Sequence, residues 1–225
     1  MNLLAVDTSS ELISFAVVLK GKVIFDFNRR KKHAASRLIV YIKNALKKLG
    51  LSVKDFDAFC VGKGPGSFTG LRISFSIIKA FSISLEKPVI GIGSFFGCAA
   101  QIKHKYERIA VASDARRNLI YGAPFRVKDG KIIREKKEAL YKPDDFLERY
   151  KDYTLCTYDS FLRNKASQVD HTINVYPKDI WPKAKYLAML AKEYYLEEKF
   201  TPLRKLEPLY IYPRDCQVKR IAVSV

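Results

Sequence analysis

The glycine-rich stretch of residues 62–72, GKGPGSFTGLR, constrains the fold of this chain more than any other part of its sequence. A short apolar run at residues 58–61 precedes it, and a longer, mostly apolar run that ends near Leu85 follows it. Glycine accepts backbone conformations with positive φ that other residues resist. Ser67 or Thr69 can cap the following helix, because a hydroxyl there accepts a hydrogen bond from a free helix amide. The stretch therefore predicts a tight turn between a buried strand and a helix.

Two uses of this turn are open. A glycine turn that leads into a helix presents free N–H groups at the positive end of the helix dipole, which attracts anions. The same glycines also let two backbone segments pack closely. The spacing does not fit the phosphate-binding pattern Gly-x-x-x-x-Gly-Lys-Ser/Thr, nor a dinucleotide-binding Gly-x-Gly-x-x-Gly with its acidic partner. The sequence alone therefore allows either close packing or anion binding here.

Size and residue usage limit the class of protein. The 225 residues are 48% hydrophobic, which suffices for one large domain or two small lobes. No uninterrupted apolar run reaches the roughly 18 residues of a membrane span, and the first residues lack the basic region of a signal peptide. The cysteines are widely spaced and form no Cys-x-x-Cys pair, which indicates reduced thiols. We therefore expect a cytoplasmic protein without a membrane partner. The four cysteines are Cys60, Cys98, Cys156 and Cys216.

The formal net charge is +18. Such a charge favours a polyanionic partner, either nucleic acid or an acidic protein face. It is equally typical of a lysine-rich, solvated surface with no specific partner. The basic residues are spread along the chain, and no RNA-binding signature with interleaved aromatic residues is present.

The first half of the chain predicts alternating strands and helices. Its first three strands read as an antiparallel meander, and Gly50 is suited to end the first helix in a left-handed cap. The run at residues 71–85 alternates in part like a strand, but its length and its glycine-turn entry favour a helix. Strands are predicted near residues 3–6, 13–19, 23–27, 58–61 and 88–92, and helices at 34–49, 71–85 and 94–101.

The second half begins like the first. Residues 109–114 repeat the apolar run that ends on Asp7, and each is followed by an alternating strand, a glycine turn and another strand. We interpret this match of order and spacing as an internal duplication. It predicts a two-lobed α/β fold of the actin/hexokinase-like (ASKHA) type with a reduced second lobe. We expect an N-terminal lobe at 1–104 and a smaller C-terminal lobe at 105–225, whose last helix and extended tail pack back on the body.

The rest of the second half predicts less regular structure. A short helix is expected at residues 143–150 and a strand at 154–157, whereas residues 159–176 read as polar and irregular. Pro182 is placed as a first-turn residue of the last helix.

The chain resembles the TsaB (YeaZ) family. Residues 3–10, LLAVDTSS, and His33 at the start of the first helix match the family, as do the DARxxxxY pattern at 114–121 and the P-x-Y at 208–210. Ala34, where the family often has serine, and residues 211–213, in place of its usual Leu-Arg ending, depart from the pattern. The strongest match is the family signature G-x-G-P-G-S-F-T-G-x-R, here Gly64, Pro65, Gly66, Ser67, Phe68, Thr69, Gly70 and Arg72 with Gly62 and the two variable positions.

This resemblance implies a non-catalytic subunit of the tRNA threonylcarbamoyladenosine (t6A) modification complex. Such a subunit dimerises with the transferase TsaD, is joined by the small ATPase TsaE, and reaches tRNA through the complex. It pairs with itself when alone. The resemblance implies no cofactor of its own, with ATP or ADP at the boundary of the complex.

The residues themselves agree with a subunit that holds no metal. The catalytic relative binds its metal through His-x-x-x-His, and none of the three histidines, His33, His104 and His171, forms such a pair. The turns after the two matching strands stand where an actin-like kinase would bind phosphate. The second of them lacks glycine and has an arginine, which makes a poor phosphate cradle. We interpret Asp7, Thr8, Ser9 and Asp114 as vestigial phosphate turns, with an ATP-dependent small-molecule kinase as the alternative function.

The two long helices of the first half are expected to form the partner interface. If each shows an apolar stripe on one side, two such pairs can build an intermolecular four-helix bundle. Each of these side chains can instead face the core of its own chain. The candidates are Leu38, Ile39, Ile42, Leu46, Leu71, Phe75, Ile78 and Phe81.

Overall fold

The computed structural model describes residues 1–30 and 34–212, which form two mixed α/β lobes. His33, Pro213 and Cys216, to which the sequence analysis assigned features, lie outside the described residues. The strands are β1 (Leu3–Asp7), β2 (Leu12–Leu19), β3 (Lys22–Arg30), β4 (Ala58–Gly62), β5 (Val89–Ile92), β6 (Arg108–Arg116), β7 (Leu119–Lys128), β8 (Lys131–Arg134), β9 (Ala139–Tyr141) and β10 (Thr154–Cys156). The helices are α1 (Leu38–Lys48), α2 (Phe68–Leu85), α3 (Ser94–Ala99), α4 (Pro143–Arg149), α5 (Ser160–Val169) and α6 (Ala184–Leu196).

The first sheet has the strand order β3-β2-β1-β4-β5. β1 pairs antiparallel with β2 and parallel with β4, so the predicted meander is extended by parallel strands that return through helices. α1 and α2 cover one face, where Phe15, Phe59 and Ile78 are fully buried. α6 covers the other face through Leu187 and its neighbouring alanines. Burial on both faces explains why β1 and β4 are apolar without alternation.

The second sheet repeats this order without the fifth strand. β10, β6, β7 and β8 correspond to β4, β1, β2 and β3, and β9 pairs with β7. α3 packs on one face, and α4 and α5 on the other. The internal duplication and the reduced second lobe of an ASKHA-like fold are confirmed by this topology.

Two details of the second half were wrong in the sequence analysis. Residues 159–176 were expected to be irregular, but Ser160–Val169 form α5. Only Leu162 and Ala166 of this helix are buried, one turn apart, so its apolar stripe was too short to detect. Pro182 does not lie in the first turn of α6, because the helix begins at Ala184 and its N-cap is Lys183.

The last described residues pack on the first lobe. Leu206 is fully buried in its core, the N–H of Thr201 donates to the carbonyl of Val89 at 2.7 Å, and the N–H of Leu209 donates to the carbonyl of Lys63 at 2.8 Å. The boundary that the sequence predicts between the two lobes, at residue 104, falls in the turn before β6. The assignment of α6 and the tail to the second lobe stays a prediction.

Cys60, Cys98 and Cys156 are free and buried. Among the described residues, α2 alone has the length and apolarity of a membrane span, with 33% of its 18 residues buried in the fold. Core helices of globular proteins meet the same criteria.

Candidate functional site

Asp7 ends β1 between the two lobes and is fully buried. Its Oδ1 accepts hydrogen bonds from the N–H and the hydroxyl of Ser9, at 2.8 and 2.6 Å, and its Oδ2 accepts one from the hydroxyl of Ser94 at 2.6 Å. Burial raises the pKa of this carboxyl, while the three hydrogen bonds oppose the rise. The carboxylate thus caps its own turn and ties it to α3.

The glycine turn packs directly on the Asp7–Ser9 turn. The N–H of Ser67 donates to the carbonyl of Ser9 at 2.7 Å, and the hydroxyl of Thr8 donates to the carbonyl of Gly70 at 2.7 Å. A Cβ at Gly66 would overlap the carbonyl of Ser9, and a Cβ at Gly70 would overlap that of Thr8. These glycines are therefore required for close backbone packing, one of the two uses left open by the sequence.

The remaining signature residues divide between this packing and the surface. Ser67 is the N-cap of α2, since its hydroxyl accepts a hydrogen bond from the N–H of Gly70 at 3.2 Å. Gly64 and Pro65 are buried, whereas Phe68, Thr69 and Arg72 are exposed on the first turns of α2. The signature thus fixes the turn and presents Phe68, Thr69 and Arg72 outward.

A cleft of about 650 Å³ opens between the lobes beside this turn. The cleft contains two of the four residues interpreted as vestigial phosphate turns, Ser9 and Asp114, but neither Asp7 nor Thr8. Many of the other residues of its wall are arginines or aromatic residues. They are Arg30, Arg116, Arg117, Phe68, Tyr121, Tyr158, Trp181, Tyr210 and Tyr212.

Acidic groups in the cleft are engaged by neighbouring atoms. Oδ1 of Asp114 accepts a hydrogen bond from the N–H of Arg116 at 2.7 Å, and Oδ2 of Asp159 accepts one from the N–H of Asp114 at 2.8 Å. Glu11 forms an ion pair with Arg30 at 3.1 Å. Burial raises the pKa of Asp159 to about 6, and the nearby carboxylates of Asp114 and Glu11 add to the rise. Residues 1–30 and 34–212 contain no group of three or more His, Cys, Asp or Glu side chains that could hold a metal ion.

Six of the eight expected interface residues are corrected to core residues. The side chains of α1 and α2 that point to the first sheet pack in its core and are not available to a partner. Ile39 is exposed and Phe81 is half-buried, packed 5.6 Å from the ring of Phe59. The buried six are Leu38, Ile42, Leu46, Leu71, Phe75 and Ile78.

α2 nevertheless has an uncovered apolar face, at other positions. Ile73 and Ile77 are half-buried, and Ala80 and Ile83 are exposed, with Ile83 at 65%. Their spacing of three or four residues places them in one stripe along the helix. The exposed residues beside the stripe include the small Ser76 and Ser84. We call these four residues (Ile73, Ile77, Ala80 and Ile83) the α2 stripe.

Most of the cleft could not be predicted from the sequence. Trp181 stacks on Tyr158 with ring centres 4.1 Å apart, although 23 positions separate them along the chain. The P-x-Y pattern marked Tyr210, but its packing on the glycine turn could not be read from the sequence. The pattern at 114–121 did contain Arg116 and Tyr121, which both line the cleft.

The fold and this cleft define the class as a two-lobed actin-like protein in which the first phosphate turn is closed by its own backbone. Residues 28–215 match the family model described as "TsaD: tRNA N6-adenosine threonylcarbamoyltransferase". The chain belongs to the TsaB (YeaZ) family.

The similarity extends over most of the chain. This chain is 34% identical to the tRNA threonylcarbamoyladenosine biosynthesis protein TsaB of Escherichia coli over 152 residues, 66% of each chain. It is 25% identical to TsaB of Haemophilus influenzae over 235 residues, which cover 94% of this chain and 93% of that protein. The structure of YeaZ from Pseudomonas aeruginosa superposes with a TM-score of 0.80 at 24% identity, covering 93% of this chain and 99% of that one. This likeness shows the fold.

Proposed function

We propose that this chain is a non-catalytic subunit of the t6A modification machinery that dimerises with a TsaD-type transferase through the α2 stripe. Its family supports a role in threonylcarbamoyladenosine biosynthesis in tRNA. The observation that carries the pairing is the uncovered apolar face of α2, which runs beside a well-packed core. A contiguous apolar surface of this kind, which ends on the exposed Ile83, is typical of an interaction site.

A TsaD-type partner fits this face for a structural reason. The family model that matches the chain is that of TsaD, and the matched residues include both α1 and α2. A partner of the same fold has equivalent helices, so like helices can meet around a pseudo-twofold axis as in a four-helix bundle. A second copy of this chain has the same two helices, which supports a homodimer of the lone chain. A TsaE-type ATPase, and ATP or ADP at the boundary of the complex, belong to the proposal through family resemblance alone.

The state of the first phosphate turn supports a non-catalytic role. Asp7 and Thr8 are buried and hydrogen-bonded within the chain, and the amide of Ser67 is bonded to Ser9. A kinase needs such groups open to nucleotide phosphates and a base in reach of the substrate. This arrangement disfavours the alternative of an ATP-dependent small-molecule kinase, which predicts ATP binding by calorimetry that is lost in Asp7→Ala.

The pairing is tested by placing a charge in the α2 stripe. Ile83→Glu and Ile77→Glu are each expected to weaken co-purification with a TsaD-type protein by at least about tenfold, because an unpaired carboxylate would be buried in an apolar contact. Transfer of the threonylcarbamoyl group to tRNA by the mixture should fall in parallel. Circular dichroism checks that each variant is folded.

Leu196→Glu is the matched control, since Leu196 is 71% exposed on α6, away from the stripe. It should leave the complex unchanged. Wild-type affinity in both stripe variants would refute the interface. Turnover of threonylcarbamoyl-adenylate by the lone chain would refute the non-catalytic role.

A further inference from the structure

We propose that the cleft between the lobes binds unpaired nucleotides of an RNA strand directly. Under the proposed function this RNA is tRNA, so the inference extends that function by giving the subunit its own RNA contact. The cleft's volume of about 650 Å³ lies in the range of sites for nucleotide-sized ligands, about 300–1,000 Å³. Three features of its wall carry the argument.

The first feature is an aromatic layer on the first lobe, formed by Phe68 and Tyr210, against which Arg72 packs without lining the cleft itself. The guanidinium of Arg72 lies 3.8 Å from the centre of the Phe68 ring, and its Nε donates to the hydroxyl of Tyr210 at 3.4 Å. The rings of Phe68 and Tyr210 are 5.4 Å apart. Planar arginine and aromatic faces are the surfaces on which unpaired bases stack.

The second feature is an aromatic pair from the second half of the chain, which Arg30 at the end of β3 in the first lobe contacts. The rings of Tyr158 and Trp181 are nearly parallel, at 15°, with centres 4.1 Å apart. The guanidinium of Arg30 lies 4.7 Å from the centre of the Trp181 ring. Aromatic residues from both halves of the chain therefore line the cleft, which suits a stacked base.

The third feature is a pair of arginines held on a strained turn. Arg116, Arg117 and Asn118 all have positive φ, at 66°, 54° and 57°, a conformation that costs about 1–2 kcal/mol for each non-glycine residue. The hydroxyl of Tyr212 donates to the carbonyls of Ala115 and Arg116, at 2.9 and 3.1 Å, and so holds the turn. The two-residue turn between the paired Arg116 and Leu119 requires positive φ at Arg117 and Asn118, so the hairpin fixes where the two arginines stand.

These arginines are available to phosphates. Within residues 1–30 and 34–212, neither Arg116 nor Arg117 forms an ion pair, and both are exposed in the cleft. The acidic neighbours are Glu11, which is paired with Arg30, and two aspartates, Asp114 and Asp159, which each accept a backbone N–H. The net charge of +18 further attracts a polyanion through counterion release.

An RNA strand fits this cleft better than a free nucleotide does. The turn that would cradle the phosphates of a free nucleotide is closed by its own backbone, because the N–H of Ser67 is bonded to Ser9 and Thr8 is buried. The positive groups are instead arginine side chains from both halves of the chain. Such an arrangement matches phosphates that are spaced along a backbone.

The test uses the single tryptophan of the chain, which lies in this cleft. Hexa-adenylate, a single-stranded RNA, is titrated into the full-length protein while Trp181 fluorescence is recorded. We expect saturable quenching, because a base stacks beside Trp181, and an affinity that falls steeply as salt rises from about 50 to about 200 mM. Arg116→Ala combined with Arg117→Ala should lower the affinity at least about tenfold and reduce the salt slope by about two.

Two further variants locate the contact. Tyr210→Ala should weaken binding about tenfold through the loss of a stacking surface. Arg149→Ala, an exposed arginine on α4 outside the cleft, is the control and should leave affinity unchanged. Binding that is lost equally in Arg149→Ala and in the cleft variants, or that leaves Trp181 fluorescence unchanged, would overturn the site. So would AMP or duplex RNA that binds as tightly as hexa-adenylate.

Failure here is distinguishable from failure of the proposed function. The cleft variants should still co-purify with a TsaD-type protein, and Ile83→Glu should still bind hexa-adenylate, because the α2 stripe and the cleft share no residue.

Discussion

Asp159 in the cleft is a carboxyl group whose charge changes near pH 6. Burial raises its pKa to about 6 from 3.8, and the carboxylates of Asp114 and Glu11 add to this rise, while the N–H of Asp114 lowers it through a hydrogen bond. Between pH 4 and pH 6 the folded chain therefore keeps a proton that the unfolded chain releases. The free energy of unfolding must fall as pH rises through this window and level off above it.

Asp159→Asn is expected to remove this contribution. Asparagine keeps an oxygen to accept the N–H of Asp114 but has no charge. Because Asp159 is partly exposed, solvent screening reduces the effect to about 1 kcal/mol. Urea unfolding at about pH 4 and pH 7 should show the wild type losing that much more stability than the variant. Asp152→Asn, at an exposed aspartate outside the cleft, corrects for general charge effects, and equal losses in wild type and Asp159→Asn would contradict the prediction.

The two strand-end aspartates show what could be predicted at this scale. Asp7 and Asp114 occupy equivalent places in the repeat, and the sequence identified both. It could not show that Asp7 is buried while Asp114 is exposed, because the groups that enclose Asp7 come from Gly62 and Ser94, far along the chain.

At the level of single elements, the glycine turn and the β1 turn form one backbone contact. Gly66 has a φ of 151°, and a side chain there would overlap the carbonyl of Ser9. The obstacle is backbone and not the end of a flexible side chain, so the strand or the turn would have to shift. We expect Gly66→Ala to lower the free energy of unfolding by about 3 kcal/mol.

Gly50→Ala separates strain from overlap in this test. Gly50 has a φ of 66°, but an added Cβ there meets no atom within 4 Å, so only the left-handed strain of about 1 kcal/mol applies. Chemical denaturation of both variants gives the two values. A Gly66→Ala variant no less stable than Gly50→Ala would show that the turn does not depend on this contact.

Helix α2 shows why an element can be predicted without its orientation. The sequence gives apolar residues on all sides, interrupted by small serines, so its existence follows but its buried side does not. In the structure Ser74 and Ser82 point inward and Ile83 points out. The two hydroxyls bond to the carbonyls of Leu71 and Lys87, at 3.0 and 2.5 Å. A serine that is satisfied locally is buried at little cost, so polarity could not identify the exposed face.

At the scale of the whole molecule, the end of the described chain joins the two lobes. α6 covers the first sheet, and the N–H of its Ala184 donates to the hydroxyl of Ser14 at 2.8 Å. The tail then buries Leu206 in the first core and reaches the second lobe through Tyr212. The repeat predicted two lobes, but these contacts link positions up to 170 residues apart, which no local pattern encodes.

Leu206→Ala tests whether these contacts make the lobes one folding unit. Leu206 is fully buried among the side chains of the first core. Its truncation should therefore lower the free energy of unfolding by about 3 kcal/mol, through lost burial and a residual cavity. Leu196→Ala, at a leucine that is 71% exposed, should change stability by less than about 0.5 kcal/mol.

Far-UV circular dichroism follows both sheets, and fluorescence of Trp181 follows the stack on Tyr158 in the second lobe. If the tail couples the lobes, Leu206→Ala moves both transitions to the same lower denaturant concentration, because one cooperative unit has one midpoint. If the fluorescence transition stays at its wild-type midpoint while the dichroism transition splits, the lobes unfold separately and the coupling is refuted.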